Sequence, residues 1–158
     1  QDLLSRASVC SLSLCEENQP YLHFNIFAYD PDRKCLYLHG ARQGGLPALA
    51  EKSPLVSLGV YEMGRLLPGE TAMSMSLEFS SVIIRGRLTI LRDLDEAGKA
   101  LQHILDKYFP NLIPGTDYRP LQPDELDMTN VYRVEIEAWS GKQKLSTPKT
   151  NLPKGIEE

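Results

Sequence analysis

The residues of this chain best suited to chemistry lie in one stretch, Leu36-Tyr37-Leu38-His39-Gly40-Ala41-Arg42-Gln43-Gly44-Gly45, where a short apolar run enters a glycine-rich turn carrying one imidazole and one guanidinium. Glycine has no side chain to obstruct contact and tolerates positive φ, so main-chain N–H groups in such a turn can approach a ligand closely. The residues that follow, Leu46-Pro47-Ala48-Leu49-Ala50-Glu51, read as a short helix with proline in its first turn, and its positive N-terminal end faces the same spot. Phosphate is the ligand chemistry this arrangement suits. The same glycines would equally serve a plain strand-to-helix connection, and the turn alone does not separate the two readings.

Other chemistries find little support. The histidines His23, His39 and His103 are far apart and belong to no HExxH-type pattern, so no metal site is expected. There is no GxSxG elbow. Cys10, Cys15 and Cys35 have neither CxxC spacing nor the density of a disulfide scaffold, and are expected to be reduced, buried thiols. At 158 residues the chain fits one domain. Its net charge of −4 and pI near 5.4, with basic residues scattered singly, argue against a nucleic-acid partner. No apolar run approaches the roughly 20 residues that span a bilayer, and no signal peptide opens the chain, so a cytoplasmic protein without a membrane partner is expected. Gln1 is not an initiator residue, which leaves open a segment before it.

The positioning elements read as follows. Val9 to Leu14 alternates with Cys10, Leu12 and Leu14 on one face, and Tyr21 to Tyr29 alternates again after a turn at Glu16–Pro20. Asp30-Pro31-Asp32 turns the chain into a strand from Cys35 to His39. Leu55 to Tyr61 gives a fourth strand, followed by a loop to about Met75. Leu77 to Leu91 is long, and Gly86 in its middle marks a bulge or bend that curls a sheet. Asp93 and Glu96 form a capping pair before a helix whose apolar positions are Leu101, Ile104, Leu105 and Tyr108. A short helical turn is expected near Asp124–Leu126, and Val131 to Trp139 is the last strand. His103, Glu135 and Glu137 are expected to face water. The pattern is mainly β with helices, a six-stranded antiparallel barrel over residues 1–142 and an irregular tail over 143–158.

In order along the chain, Tyr21-Leu22-His23-Phe24-Asn25, the His39-Gly40-Ala41 turn, Ser80-Ser81-Val82-Ile83-Ile84-Arg85-Gly86, the capped helix and Trp139-Ser140-Gly141-Lys142 resemble the FMN-binding split-barrel family related to pyridoxamine 5′-phosphate oxidase, and within it the nitroimidazole-resistance, or nitroimidazole reductase-like, branch. The resemblance implies a six-stranded split barrel and a homodimer with FMN in clefts between subunits. It implies that Phe24 and Asn25 flank the flavin ring, and that His39, Gly40 and Ala41, with Arg42 and Gly44, form the turn along the cofactor. It further implies that Ser81 and Val82 offer contacts from a strand, and that Trp139 and Lys142 approach from the C-terminal segment. His39 is the candidate for a catalytic role. One departure stands out: the family commonly places a basic residue just after this turn to pair with the phosphate, and here that position is Gly45. Arg42 is the first substitute for that charge, with Arg85 and Lys52 behind it. The function implied is a flavoprotein oxidoreductase acting on a small-molecule acceptor. The alternatives are a non-enzymatic flavin-nucleotide binder and a haem-binding barrel using His39 as axial ligand.

Overall fold

The computed structural model describes residues 1–146. Helix α1 (Asp2–Arg6) precedes β1 (Cys10–Glu16), β2 (Gln19–Asn25), β3 (Ala28–Asp30), β4 (Cys35–Ala41), α2 (Gly45–Lys52), β5 (Leu55–Leu67), β6 (Ser76–Ile90), α3 (Leu94–Tyr108), α4 (Pro123–Leu126) and β7 (Thr129–Lys144). All seven strands join one sheet in the order β2-β1-β5-β6-β7-β4-β3, and each described pairing is antiparallel. The mainly β, antiparallel split barrel expected from the sequence is present, with seven strands among the described residues where six were expected and with a sheet that is not closed. The single strand expected over Tyr21 to Tyr29 is broken at Ile26 and Phe27, and its halves lie at opposite edges of the sheet.

That break explains the curl. Asn25 ends one edge strand and Ala28 begins the other, so the two edges cannot be more than about 11 Å apart there, the reach of three extended peptide steps. Phe27 is fully buried, and its backbone finds no strand neighbour. Its N–H donates to the Tyr108 hydroxyl at 3.1 Å, and its carbonyl accepts from the Lys107 ammonium at 2.8 Å. Lys107 also donates to the carbonyls of Ala7 (2.7 Å) and Leu4 (3.3 Å), and its nitrogen sits 3.7 Å above the Phe27 ring. The Tyr108 hydroxyl donates to Ser8. Burial lowers the Lys107 pKa to about 8, so the ammonium persists at neutral pH.

The bulge expected at Gly86 is present. Pairing between β6 and β7 slips between Arg85 and Gly86, and a Cβ on Gly86 would lie 2.0 Å from the Glu135 carbonyl oxygen. A second irregularity, between Met63 and Leu66, lets β5 run on through the expected loop to Leu67, because Gly64 admits the Glu78 side chain that pairs with Arg65 (2.8 Å). Strand β7 likewise continues five residues past its expected end at Trp139, to Lys144, which is two residues into the expected tail; the tail from 147 on lies outside the described residues. Helix α1, which the sequence reading missed, buries Leu3 and Leu4.

The interior is filled by Leu12, Leu36, Leu38, Leu58, Ile84, Leu88 and Tyr132. Helix α3, capped by Asp93 accepting from the Glu96 N–H at 2.8 Å, packs Ala97, Ala100 and Ile104 on the β4 side, a stripe turned slightly from the expected one. Cys10 and Cys35 are buried free thiols, but Cys15, one residue beyond the inward Leu14, is exposed. His103 is not simply solvated: its Nε2 lies 3.2 Å from the Tyr29 carbonyl, and its ring meets Tyr37 edge-on. Among the described residues no helix is long and apolar enough to cross a membrane.

Removing the Lys107 ammonium strands buried carbonyls, each worth about 1–3 kcal/mol when left unsatisfied. Lys107→Met should therefore lower the unfolding free energy by about 2–3 kcal/mol in urea denaturation, while Lys99→Met on the exposed side of α3 stays within about 0.5 kcal/mol. Equal effects of the two would contradict the role of Lys107 at the seam.

Candidate functional site

The turn between β4 and α2 is built for open main-chain donors. Gly44 takes φ 128° as N-cap residue, a conformation costly for residues with a side chain, and α2 has neither a side-chain cap bond nor an acid in its first turn. Asn130, 5% exposed, holds the turn by donating from Nδ2 to the carbonyls of Ala41 (3.3 Å) and Arg42 (3.4 Å), and Thr129 Oγ1 donates to the Gly40 carbonyl at 2.7 Å. Beside it opens a cavity of about 500 Å³ lined by Arg42, Gln43, Gly44, Pro47, Arg92 and Asn130, among others.

The cationic side chains are arranged otherwise than the sequence suggests. Arg42 donates from Nε to the Asp127 carbonyl at 2.7 Å and from Nη2 to the Leu126 carbonyl (3.3 Å) and the Asp127 carboxylate (3.2 Å), so it braces the end of α4. Lys52 closes α2 at its far end and pairs with Glu16 at 2.7 Å. Arg85 lines a separate cavity at the Gly86 bulge, with Cys15 and Glu137. Arg92 pairs with Glu51.

Next to the turn, Asn25 at the end of β2 donates from Nδ2 to the His39 carbonyl at 2.6 Å, which ties the edge strand to β4. His39 is half-buried, its Nδ1 has no partner among the described residues, and burial lowers its pKa. Gly40 and Ala41 complete the strand opposite Asn130 and Thr129. A Cβ on Gly40 would touch the Tyr132 ring at 3.7 Å, and one on Gly45 would lie 2.9 Å from Cε2 and 3.1 Å from the hydroxyl of Tyr21.

Of the remaining candidates, Phe24, Ser81 and Lys142 lie on the outer face of the sheet, whereas Val82 packs against the core in register with Val60, and Trp139 stands in register with the buried Ile84. Phe24, Ser81 and Val82 come together in a trough of about 430 Å³ whose floor is Ser11 and Gly59 and whose rim includes Tyr61 and Ile83. Phe24, Tyr61 and Ile83 are 66%, 58% and 54% exposed. Ser81 and Val82 also border a cavity of about 320 Å³ with Lys142, Gln143 and Arg6. Lys142 lies opposite Ser81 in the ladder, its ammonium 5.8 Å from the centre of the Phe79 ring. Trp139, opposite Ile84 and 6.3 Å from the Tyr29 ring, lines none of these three cavities. The structure therefore gathers the candidates into a turn group (Asn25, His39, Gly40, Ala41, Arg42, Gly44) and an outer-face group (Phe24, Ser81, Lys142), with Val82 between Ser81 and Ile83 but turned to the core. The sequence reading missed Tyr21, Tyr61, Arg92, Asn130 and Tyr132 as parts of these groups. Only Tyr21 carried a usable signal, since it precedes His23 in phase on a strand whose opposite residues, Leu22 and Phe24, turn out to be exposed.

A sequence profile of the pyridoxamine 5′-phosphate oxidase family matches residues 1–143. No curated protein matches the chain. Among solved structures, a candidate 5-nitroimidazole antibiotic resistance protein from Bacteroides thetaiotaomicron VPI-5482 superimposes with a TM-score of 0.75 at 20% identity, covering 89% of this chain and 79% of that one. The FAD and heme binding protein from Mycobacterium smegmatis gives 0.81 at 21% identity over 95% of this chain and 72% of that one. The flavocytochrome Anf3 from Azotobacter vinelandii gives 0.78 at 22% identity over 95% and 68%. At these identities the likeness is one of fold. The family profile runs from α1 to the end of β7, across both groups of site residues, and the chain belongs to the pyridoxamine 5′-phosphate oxidase family.

Proposed function

We propose that this is a cytoplasmic flavin-binding protein, a homodimer that holds FMN between its subunits and uses it as an oxidoreductase on a small acceptor. The observation that carries the reading is the β4–α2 turn, where an uncapped helix start, a positive-φ glycine and a cavity of about 500 Å³ coincide. That combination suits the phosphate end of a flavin nucleotide. A flavin fits the residues on a second count, because the Nδ1 of His39, at the end of β4 beside the turn, is buried without a partner among the described residues. Family membership supports the same cofactor class, as do structural relatives whose names include FAD binding.

When bound, FMN supplies hydride or electron transfer. The chain's own part is to hold and orient. Asn25 fixes the His39 backbone, and burial keeps the His39 imidazole neutral near pH 7, able to donate from one nitrogen and accept at the other. The dimer reading rests on the outer face: Phe24, Tyr61, Met63, Leu66 and Ile83 are all more than half exposed on neighbouring strands, a patch of the kind that marks an interface. The interior is filled by side chains, so a flavin must sit against the outside of the sheet.

Three measurements test this. Added FMN should raise the thermal midpoint as mass action requires, and the protein should carry a flavin absorption spectrum; no response up to millimolar FMN removes the flavin reading, and a Soret band instead would favour the haem alternative through His39. Light scattering at tens of micromolar should report twice the chain mass, with Tyr61→Glu shifting it to one; a wild-type monomer contradicts the dimer. Finally, because burial lowers the His39 pKa below its ordinary 6.5, the unfolded chain binds that proton first as pH falls. Stability should decline as pH drops below about 6.5, and His39→Gln should flatten this part of the urea-midpoint profile. An unchanged slope in His39→Gln contradicts the burial of that imidazole.

A further inference from the structure

Sequence order makes Arg85 a reserve for the phosphate charge missing at Gly45, but the structure sets it elsewhere, beside a cavity of about 400 Å³ at the Gly86 bulge. Its surroundings are unusual for this chain. Every other arginine has a carboxylate oxygen within 3.8 Å, whereas Arg85 has neither an acid nor a side-chain hydrogen bond among the described residues. In a chain of net charge −4, a guanidinium left without an acid is the exception.

Strand register builds the cavity around it. Ser13 of β1, Ser57 of β5 and Arg85 of β6 stand side by side across three strands. Their chain neighbours Leu12, Leu14, Val56, Leu58 and Ile84 are buried, so these three side chains point outward. The short serines keep the floor low beside the long arginine. Ser57 Oγ donates to the Ile84 carbonyl at 3.4 Å, while the Ser13 hydroxyl has no partner among the described residues. Leu55 stands two residues from Ser57, about 7 Å along the strand, and with Pro20 of β2 it forms an apolar wall. Leu55 is 58% exposed, a large apolar side chain with nothing packed on it.

The bulge supplies the remaining side. Pairing passes from Arg85–Ala138 to Gly86–Ile136, which leaves Glu137 as the extra residue at the rim. Arg87 lies 3.8 Å from the Glu137 carboxylate. Two guanidiniums thus flank one carboxylate, and this edge of the cavity keeps an excess positive charge.

We propose that the cavity at the Gly86 bulge binds a small organic carboxylate, its anionic group on Arg85 and its apolar body against Leu55 and Pro20. The planar guanidinium matches a carboxylate in a two-bond fork, and the Ser13 hydroxyl adds a donor beside it. A single unpaired cation with apolar walls suits a monoanion about 7 Å long. The site shares no lining residue with the cavity at the β4–α2 turn, and it holds whether or not a flavin binds.

The test measures Kd on the full chain by calorimetry for 3-phenylpropionate and for 3-phenylpropan-1-ol, which has the same body without the charge. The acid should bind about 10-fold tighter than the alcohol, and Arg85→Gln should remove that difference while changing the alcohol less than about 2-fold. Ser57→Leu raises the floor and should weaken both probes by about 10-fold. Failure of the acid to bind at millimolar concentration overturns the proposal, as does an equal loss of acid and alcohol in Arg85→Gln. FMN affinity is measured in parallel. An unchanged value in Arg85→Gln supports a separate site, and a loss matching that of the acid overturns it. Wild-type protein that binds the acid through Arg85 but no FMN removes the flavin reading and leaves this site standing.

Discussion

Two residues of backbone, Ile26 and Phe27, carry the chain from one edge of a seven-stranded sheet to the other. Neither edge pairs with the other there, so the main-chain groups of Phe27 would be buried without partners unless something outside the sheet met them. The end of α3 does so: Tyr108 receives the N–H and Lys107 serves the carbonyl, while the same ammonium gathers the carbonyls of Leu4 and Ala7 from the N-terminal helix. Holding the seam in this way brings the β2 edge against the β4–α2 turn. Asn25 can then reach the His39 carbonyl, and Tyr21 can reach Gly45. Both contacts of the candidate site follow from where the sheet is forced to meet itself.

The filled interior determines where a ligand can go. Leucines, isoleucines and Tyr132 occupy the inside of the curled sheet, so binding surfaces must lie at the turn and on the outer face. The two regions differ in chemistry. The turn offers amide and phenol donors around glycines, which suit a charged oxygen group. The outer trough has a nearly flat floor of Ser11 and Gly59 between exposed aromatic and aliphatic side chains, which suits an apolar ring or a second subunit. Burial also pushes the Cys10 thiol beside this seam up to about 12, which makes it a packing residue with no nucleophilic role at neutral pH.

Much of this was legible from residue order. Alternation located β1, the Asp30-Pro31-Asp32 turn and the apolar run after it located β4, the Asp93–Glu96 pair located α3, and Gly86 announced its bulge because a strand interior keeps glycine where another backbone comes close, here the Glu135 carbonyl. The break at Ile26–Phe27 was not legible. Its alternation is continuous through Tyr29, and what interrupts the strand is a pair of side chains 80 residues away on α3. For the site, glycines and His39 were visible as a turn motif, but the engagement of Arg42 with Asp127 and the crowding of Gly45 by Tyr21 arise only from tertiary contact. The same holds for β5, which outran its expected end because Arg65 and Glu78 pair across the arm, an interaction that holds the Glu78 carboxyl well below the usual range.

The central claim is that the phosphate end of a flavin meets the start of α2. Amide chemical-shift mapping of isotope-labelled protein addresses it directly, comparing FMN with riboflavin at equal occupancy. The largest FMN-specific shifts should fall on the amides of Gly44, Gly45 and Leu46, with the Tyr21 strand following. FMN-specific shifts confined to the outer face of β5 and β6, with the α2 amides unmoved, would contradict it.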